Sequence, residues 1–360
     1  MYPTASGPSQ TFSAKTAVSS TTTNGVLELC VSAAAVGVYP PPPTTITSDH
    51  DVAQLMAVQN PAANTSGLVR LLTGRLSDLM HYARHQHTQW LLDVATDICD
   101  PLAKRGSLVV WDAVQALWSP VAATDPLRAA VYCYSLPQGT VIALTKISLR
   151  VGKSETTVDG NGGTMRNHVM SRDNRCWITR SAGPLVNSHI CPKRMGDPLA
   201  RRILTDFCPD FIQRPGQTVY DVIFGLALIK TLDDPFDVYG MGLRFIRDGE
   251  YEVHVFAVPD EPGLVHTING VYDSHSNQYP LLHGSRAAPP RPSNPGLPPP
   301  GLFRWHYAQC VVRRFGHADY KNITNIKYPE LPVPMEGDSD EEITDSGSNC
   351  RLRQRPCSPT

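Results

Sequence analysis

Ionisable side chains of the kinds that act on phosphates are concentrated between residues 166 and 237. His189 closes a short apolar segment, and Asp233 and Asp237 follow it with a spacing of four residues between them. On a helix, this spacing places both carboxylates on one face, where they can bind the same cation. Carboxylate oxygens favour a hard divalent ion, so the expected metal is Mg²⁺, with Mn²⁺ and Zn²⁺ as alternatives.

The segment from residue 166 to residue 214 has a surplus of positive charge, with nine Arg and Lys residues against four Asp residues. The phosphates of a nucleic-acid backbone attract such a surplus independently of base sequence. The candidate phosphate-binding residues are Arg172, Arg175, Lys193, Arg194, Arg201 and Arg202. A solvated, charged helix face is the alternative interpretation of the same surplus.

The pattern around His189 predicts a β-hairpin that would hold this side chain in place. A helix leads into residues 172–176, and two strand candidates at 176–179 and 186–190 are separated by a Gly-Pro turn at 183–184. His189 then lies at the end of the second strand. Further downstream, the sequence predicts helices at 199–207 and 302–315, strands at 219–229 and 251–258, and a proline-rich connector at 287–302.

Two short motifs in this region carry a family resemblance. The sequence RDNRCWIT at 172–179, followed by SHICPK at 188–193, resembles the fungal branch of the HNH (ββα-metal) nuclease family. That branch has an Arg-Asp-Gly-x-x-Cys-x-x-Thr-Gly strand followed by an Ala-His-Ile-x-Pro strand. The similarity continues through 224–256 and 301–322, so it covers residues 165–325, a little under half of the chain.

The resemblance implies a metal-dependent endonuclease that hydrolyses phosphodiester bonds in nucleic acid, with DNA favoured over RNA. In this comparison His189 matches the general base, Asp233 stands where the family has a metal-binding histidine, and Asp237 matches an acid four residues later. Ser188 replaces an acid that many members have, and Phe224 replaces the family's middle Asn. These departures support an alternative, in which the same fold is a catalytically inactive nucleic-acid-binding or protein-interaction module.

Simpler interpretations of the acidic pair and of the histidine also remain open. Pro235 favours the first turn of a helix and would make Asp234 the N-cap, which leaves Asp233 outside the helix in a solvated turn. His189 can also be a strand-end histidine that bonds a nearby carbonyl.

Length and composition indicate one large or two modest domains in a chain of 360 residues, of which 41% are hydrophobic. The expected fold is α+β, with a helical N-terminal region followed by a ββα-metal module with additional strands and a C-terminal helix. The expected boundaries are 1–50 largely disordered, 51–160 helical and of unknown role, 165–325 HNH-like, and 326–360 a disordered acidic tail. Within the helical region, helices are expected at 68–80, 90–98 and 108–118, and a β-strand pattern at 131–151.

Charge and cysteine usage narrow the class of protein. The net charge of −1 gives no global basic field, so any contact with nucleic acid requires a local patch. The nine cysteines contain no Cys-x-x-Cys pair, which favours buried thiols in a reducing compartment over a zinc ribbon or a disulfide framework. No apolar stretch is long enough to span a membrane, so we expect an intracellular protein of the nucleus or cytoplasm that is not secreted.

Two further clusters have both a chemical and a structural interpretation. His81 and His85 share a predicted helix face with Asp78 and so resemble part of a zinc site, but they also fit a solvated polar flank. Trp305 could stack on bases, but its spacing within the predicted last helix favours a packing seam.

Overall fold

The computed structural model describes residues 25–37, 67–84, 87–148, 162–256, 282–294 and 296–324. Within these ranges the chain folds as α+β, with helices and three β-sheets. The predicted disorder of residues 1–24, 38–50 and 326–360 falls outside the described residues. Within the segment expected to be largely disordered, the apolar run from residue 26 to residue 38 predicts a strand or a local collapse, and Val26–Ser32 forms a largely buried strand because Leu27, Leu29 and Val31 face the core.

A five-stranded mixed sheet organises the first half of the fold, with the order β2-β1-β5-β3-β4. Its strands are β1 (Val26–Ser32), β2 (Leu68–Arg75), β3 (Ser107–Asp112), β4 (Leu117–Pro120) and β5 (Val131–Ser135). β1 pairs antiparallel with β2 and parallel with β5. Helices α1 (Leu76–Ala83) and α2 (His87–Cys99) contribute side chains to the same core.

The expectation of a helical region at 51–160 is therefore wrong for most of its described part. Residues 68–80 divide into a strand and a helix, because the first of them pair with β1 along its length. Residues 108–118 form the β3–β4 hairpin, since the Asp112 carboxylate accepts hydrogen bonds from the backbone N–H groups of Val114 and Gln115 and turns the chain. The helix predicted at 90–98 is confirmed as α2.

The second half contains two antiparallel sheets, β6-β7 and β10-β9-β8. Its strands are β6 (Leu185–His189), β7 (Gly225–Ile229), β8 (Met241–Arg247), β9 (Glu250–Val255) and β10 (Arg286–Ala287). Its helices are α3 (Gly162–Asp173), α4 (Gly196–Phe207), α5 (Lys230–Asp237), α6 (Pro300–Phe315) and α7 (Ala318–Thr324). The helices predicted at 199–207 and 302–315 are confirmed as α4 and α6.

The predicted hairpin between residues 176–179 and 186–190 is wrong, although His189 does end a strand. Residues 177–179 form a turn, because the N–H of Arg180 donates to Cys176 O and the N–H of Cys176 donates to Ser181 O. The strand that pairs with β6 is β7, with Leu185 opposite Ile229 and His189 opposite Gly225.

Two hydrophobic cores share helix α6. Leu302, Phe303 and Trp305 pack in the second core, whereas Val312 and Phe315 pack in the first. Trp305 is 2% exposed, so the packing interpretation of this residue is confirmed. None of the helices in the described part of the chain is long and apolar enough to cross a lipid bilayer.

Candidate active site

The antiparallel pair β6 and β7 continues directly into helix α5, which gives a local β-β-α arrangement around His189. Helix α5 begins at Lys230, with the extended Ile229 before it, and ends at Asp237 with Pro235 inside. The alternative with Asp234 as N-cap is therefore wrong, because the N-cap is Ile229 and the helix begins directly after the strand, five residues before the proline. Asp233 and Asp237 both lie in this helix, four residues apart.

The end of β6 contacts α5 through Ser188. Its hydroxyl donates a hydrogen bond of 2.9 Å to the Oδ1 atom of Asp233. Ser188 is fully buried, and the Asp233 side chain is 13% exposed. In the sequence Ser188 counted only as a departure from the family pattern, and no sequence signal indicated its contact with a residue 45 positions away.

Lys230 neutralises much of the acidic charge at the start of α5. Its Nζ atom lies 3.2 Å from Asp233 Oδ2 and 3.1 Å from Asp234 Oδ1. The hydrogen bond to Asp234, followed by that to Asp233, raises the pKa of the lysine above its usual value. Asp233 therefore has a hydroxyl group on one oxygen and an ammonium group on the other.

A second lysine lies near the other end of α5. Lys193 opens the short 3-10 turn that follows β6, and its side chain is half-buried. Burial lowers the pKa of Lys193, and the nearby negative charge of Asp237 opposes that shift. The Lys193 ammonium is thus close enough to Asp237 to interact with it electrostatically.

His189 is half-buried and lies opposite Gly225, where the β6–β7 pair has no room for another side chain. A Cβ atom at position 225 would lie 2.3 Å from Asn187 Oδ1 and 2.8 Å from Met165 Cε. Alternation along β6 puts Asn187 on the same face as His189. Asn187 Oδ1 is buried and has no hydrogen-bond partner among the described residues. Asn187 could not be identified from the sequence, because nothing in the motif distinguishes it from an ordinary strand residue.

The oxygen donors of this region are compatible with a hard divalent ion. They are the carboxylates of Asp233 and Asp237 and the hydroxyl of Ser188, and Mg²⁺ commonly binds one or two carboxylates and retains several waters. Among the described residues, no three or more His, Cys, Asp or Glu side chains are grouped as a protein-only metal site would require. The donor set therefore suits Mg²⁺ or Mn²⁺ rather than Zn²⁺, which prefers nitrogen and sulfur ligands.

Arg172 has a structural position, and the prediction that it contacts phosphate does not fit its burial. Its side chain is 3% exposed and forms a bidentate ion pair with Asp173, with both N···O distances at 2.7 Å. Its Nη1 atom also donates to the carbonyls of Val222 and Gly296. Asp173 in turn accepts from the N–H of Ala227 in β7. This network fixes α3 against the strand that lies opposite His189.

The other predicted phosphate-binding residues are divided among three places. Lys193 and Arg194 lie in the short 3-10 turn that begins four residues after the end of β6. Arg201 and Arg202 are on α4, where Arg201 donates to Gln217 O and Arg202 pairs with Asp206 at 2.7 Å. Arg175 is exposed in the turn after α3 and donates to Arg180 O.

The zinc interpretation of the histidine stripe is not supported by the described residues. His85 lies outside them, and His81 stacks against the ring of His283, with 3.8 Å between the ring centroids. That stacking places His81 at a contact between distant parts of the chain.

Comparison with known proteins gives no further guide to function. No protein-family model matches the chain, and neither a curated protein nor a solved structure matches it.

Proposed function

We propose that the protein is a metal-dependent endonuclease that hydrolyses phosphodiester bonds in DNA, with a divergent HNH-type site. The observation that carries this proposal is the contact between Ser188 and Asp233, because it connects the strand that ends in His189 to the helix that bears both aspartates. A base and two carboxylates on adjoining elements are the groups that hydrolysis of a phosphodiester needs.

Each side chain has a role in the proposed reaction. His189, as a neutral imidazole, accepts the proton of the attacking water. Lys193, half-buried beside Asp237, binds an oxygen of the phosphate. A divalent ion held by Asp233 and Asp237 would neutralise the charge that develops on the phosphate and its leaving oxygen.

A second candidate is a module of the same fold that binds nucleic acid without cleaving it. Two observations favour it: Lys230 already places a positive charge on Asp233, and Phe224, at the family's Asn position, is fully buried in the core. An ammonium group at a carboxylate reduces its attraction for a metal ion.

Plasmid nicking and calorimetry with Mg²⁺, Mn²⁺ and Zn²⁺ would distinguish the two functions. For an endonuclease we expect Mg²⁺- or Mn²⁺-dependent nicking that falls about 100-fold or more in His189→Ala, since general base catalysis contributes about that much. Asp233→Asn should weaken the heat of metal binding, whereas Asp206→Asn on exposed α4 should not. Salt-sensitive DNA binding without nicking or metal binding would leave only the second candidate.

A further inference from the structure

Three imidazoles from distant parts of the chain form a stacked column. The ring of His283 lies between His81 of α1 and His254 of β9. The His81 and His283 centroids are 3.8 Å apart with 23° between the ring planes, and those of His254 and His283 are 5.0 Å apart with 15° between them. The near-parallel planes place the three rings face to face, with His254 fully buried, His283 partly buried and His81 on the exposed side of α1.

The column lies where the two halves of the fold meet. Tyr82 of α1 donates through its hydroxyl to Val255 O, and Arg84 donates to the carbonyl of His283. Trp90 of α2, which packs in the first core, donates through Nε1 to the Tyr307 hydroxyl at 2.9 Å. A change in the column therefore affects the contacts that join the two halves. Helices α1 and α2 lie on one side of these contacts, and β9 and residues 282–285 lie on the other.

The hydrogen bonds of this region fit a neutral His254. Because Trp90 donates to the Tyr307 oxygen, the hydroxyl hydrogen of Tyr307 is free to point at His254 Nδ1, 2.6 Å away. In this arrangement Nδ1 accepts, and the proton of the neutral ring is on Nε2, 3.7 Å from Glu252 Oε2. With a proton on Nδ1 as well, the Tyr307 oxygen would have to accept from both Trp90 and His254, and the hydroxyl hydrogen of Tyr307 would lose this acceptor in a buried contact.

The charges around the column act on its protonation in both directions. Arg84, just after α1, and Arg244 of β8 lower the pKa of His254, whereas the Glu252 carboxylate, which also pairs with Arg84, raises it. Asp78 is the remaining acid in this environment and acts on His81 alone. Burial lowers the pKa of all three histidines, and burial together with the charges of His254 and His81 lowers that of His283 to about 4.

We propose that this imidazole column is an acid-sensitive joint between the two halves of the fold, closed while the rings are neutral and opened by their protonation. A histidine whose pKa falls on folding stabilises the folded state fully above its unfolded pKa of 6.5, and this stabilisation is lost as the pH decreases towards 4. The joint should therefore weaken between pH 6.5 and pH 4. This inference does not depend on the proposed nuclease activity.

Hydrogen exchange of the full chain, followed peptide by peptide between pH 7 and pH 4.5 and corrected for intrinsic rates, tests the proposal. We expect the opening constant of α1 and β9 to rise about tenfold or more in the natural protein, while α4 remains protected. His283→Phe keeps an aromatic ring at the centre of the stack without its titrating group, and should reduce the rise, since only His81 and His254 still titrate there. His168→Phe, on the exposed face of α3, is the matched control and should retain it.

An equal rise in His283→Phe, or a rise shared by α4, would overturn the proposal in favour of general acid unfolding. Imidazole NMR of the natural protein provides a measurement that needs no variant. A pKa of about 6.5 for His283 would be equally contrary, since it would show that the stacked ring is not held neutral.

Discussion

The hydroxyl of Ser188 and the Oδ1 atom of Asp233 are joined by a hydrogen bond of 2.9 Å that connects β6 to α5. Ser188→Ala removes the donor and leaves a mostly buried carboxylate with one partner fewer. We expect the free energy of unfolding to fall by about 1–2 kcal/mol, measured by urea denaturation. Ser77→Ala is the control, because Ser77 is exposed on α1 and its contact with Asp78 is 3.5 Å long. Equal effects of the two substitutions would mean that the bond to Asp233 contributes nothing.

The buried pair of Arg172 and Asp173 should contribute far more than a surface pair. Arg172→Met leaves the Asp173 carboxylate uncompensated in the interior and removes three hydrogen bonds to backbone carbonyls, so we expect a loss of about 3–5 kcal/mol. Arg202→Met on α4 breaks an exposed pair with Asp206 and should cost less than about 1 kcal/mol. Denaturation of both variants checks the difference, and a small effect at Arg172 would contradict the network seen here.

Two glycines at the second position of a helix should respond oppositely to alanine. In α6, a Cβ atom on Gly301 would lie 2.1 Å from Phe207 O and 2.5 Å from Cys208 Sγ, so Gly301→Ala should lower the free energy of unfolding by about 1–3 kcal/mol. In α3, a Cβ atom on Gly163 meets nothing within 4 Å. Gly163→Ala should be neutral or stabilising, since alanine restricts the unfolded chain. Thermal unfolding of the pair measures both signs, and a tolerated Gly301→Ala would rule out the close contact of α6 with α4.

The seven cysteines in the described ranges should resist alkylation in the native protein. All are buried, and burial raises the pKa of Cys30 and Cys208 to about 12 and that of Cys133 to about 11. At pH 8 the reactive thiolate is then a minute fraction of Cys30, Cys133 and Cys208. Iodoacetamide labelling followed by peptide mass spectrometry should modify them only after urea is added. Rapid labelling of Cys208 in the native state would show that the junction of α4 and α6 opens.

The sequence was most informative where chemistry and periodicity agree. The positions of His189 at a strand end and of α2, α4 and α6 could be predicted, because each depends on a local pattern of apolar residues. The strand paired with β6 could not, since β7 begins 36 residues after the end of β6 and the pairing depends on contacts between segments distant in sequence, which include the bond of Asp173 in α3 to Ala227. The hairpin at 108–118 was available in principle, because Asp112 begins a turn whose side chain caps two backbone amides.

The same limit applies to the candidate site. The residue type of Arg172 predicted a contact with phosphate, but its side chain is buried. The burial depends on tertiary contacts with Val222 and Gly296, which a local sequence pattern does not contain. The position of Asp233 within α5 was also ambiguous, because a proline two residues later is compatible with either a helix start or a helix interior.

Helix α6 supplies side chains to both hydrophobic cores, although it lies near the end of the described chain. During synthesis, neither core can be completed until residues 300–315 have left the ribosome. Until then, the part of the chain already synthesised exposes apolar surface that α6 later covers. Contacts between residues so far apart in sequence also form slowly. A stop codon before residue 300 would therefore leave two incomplete halves and make the product a target for chaperones and proteases.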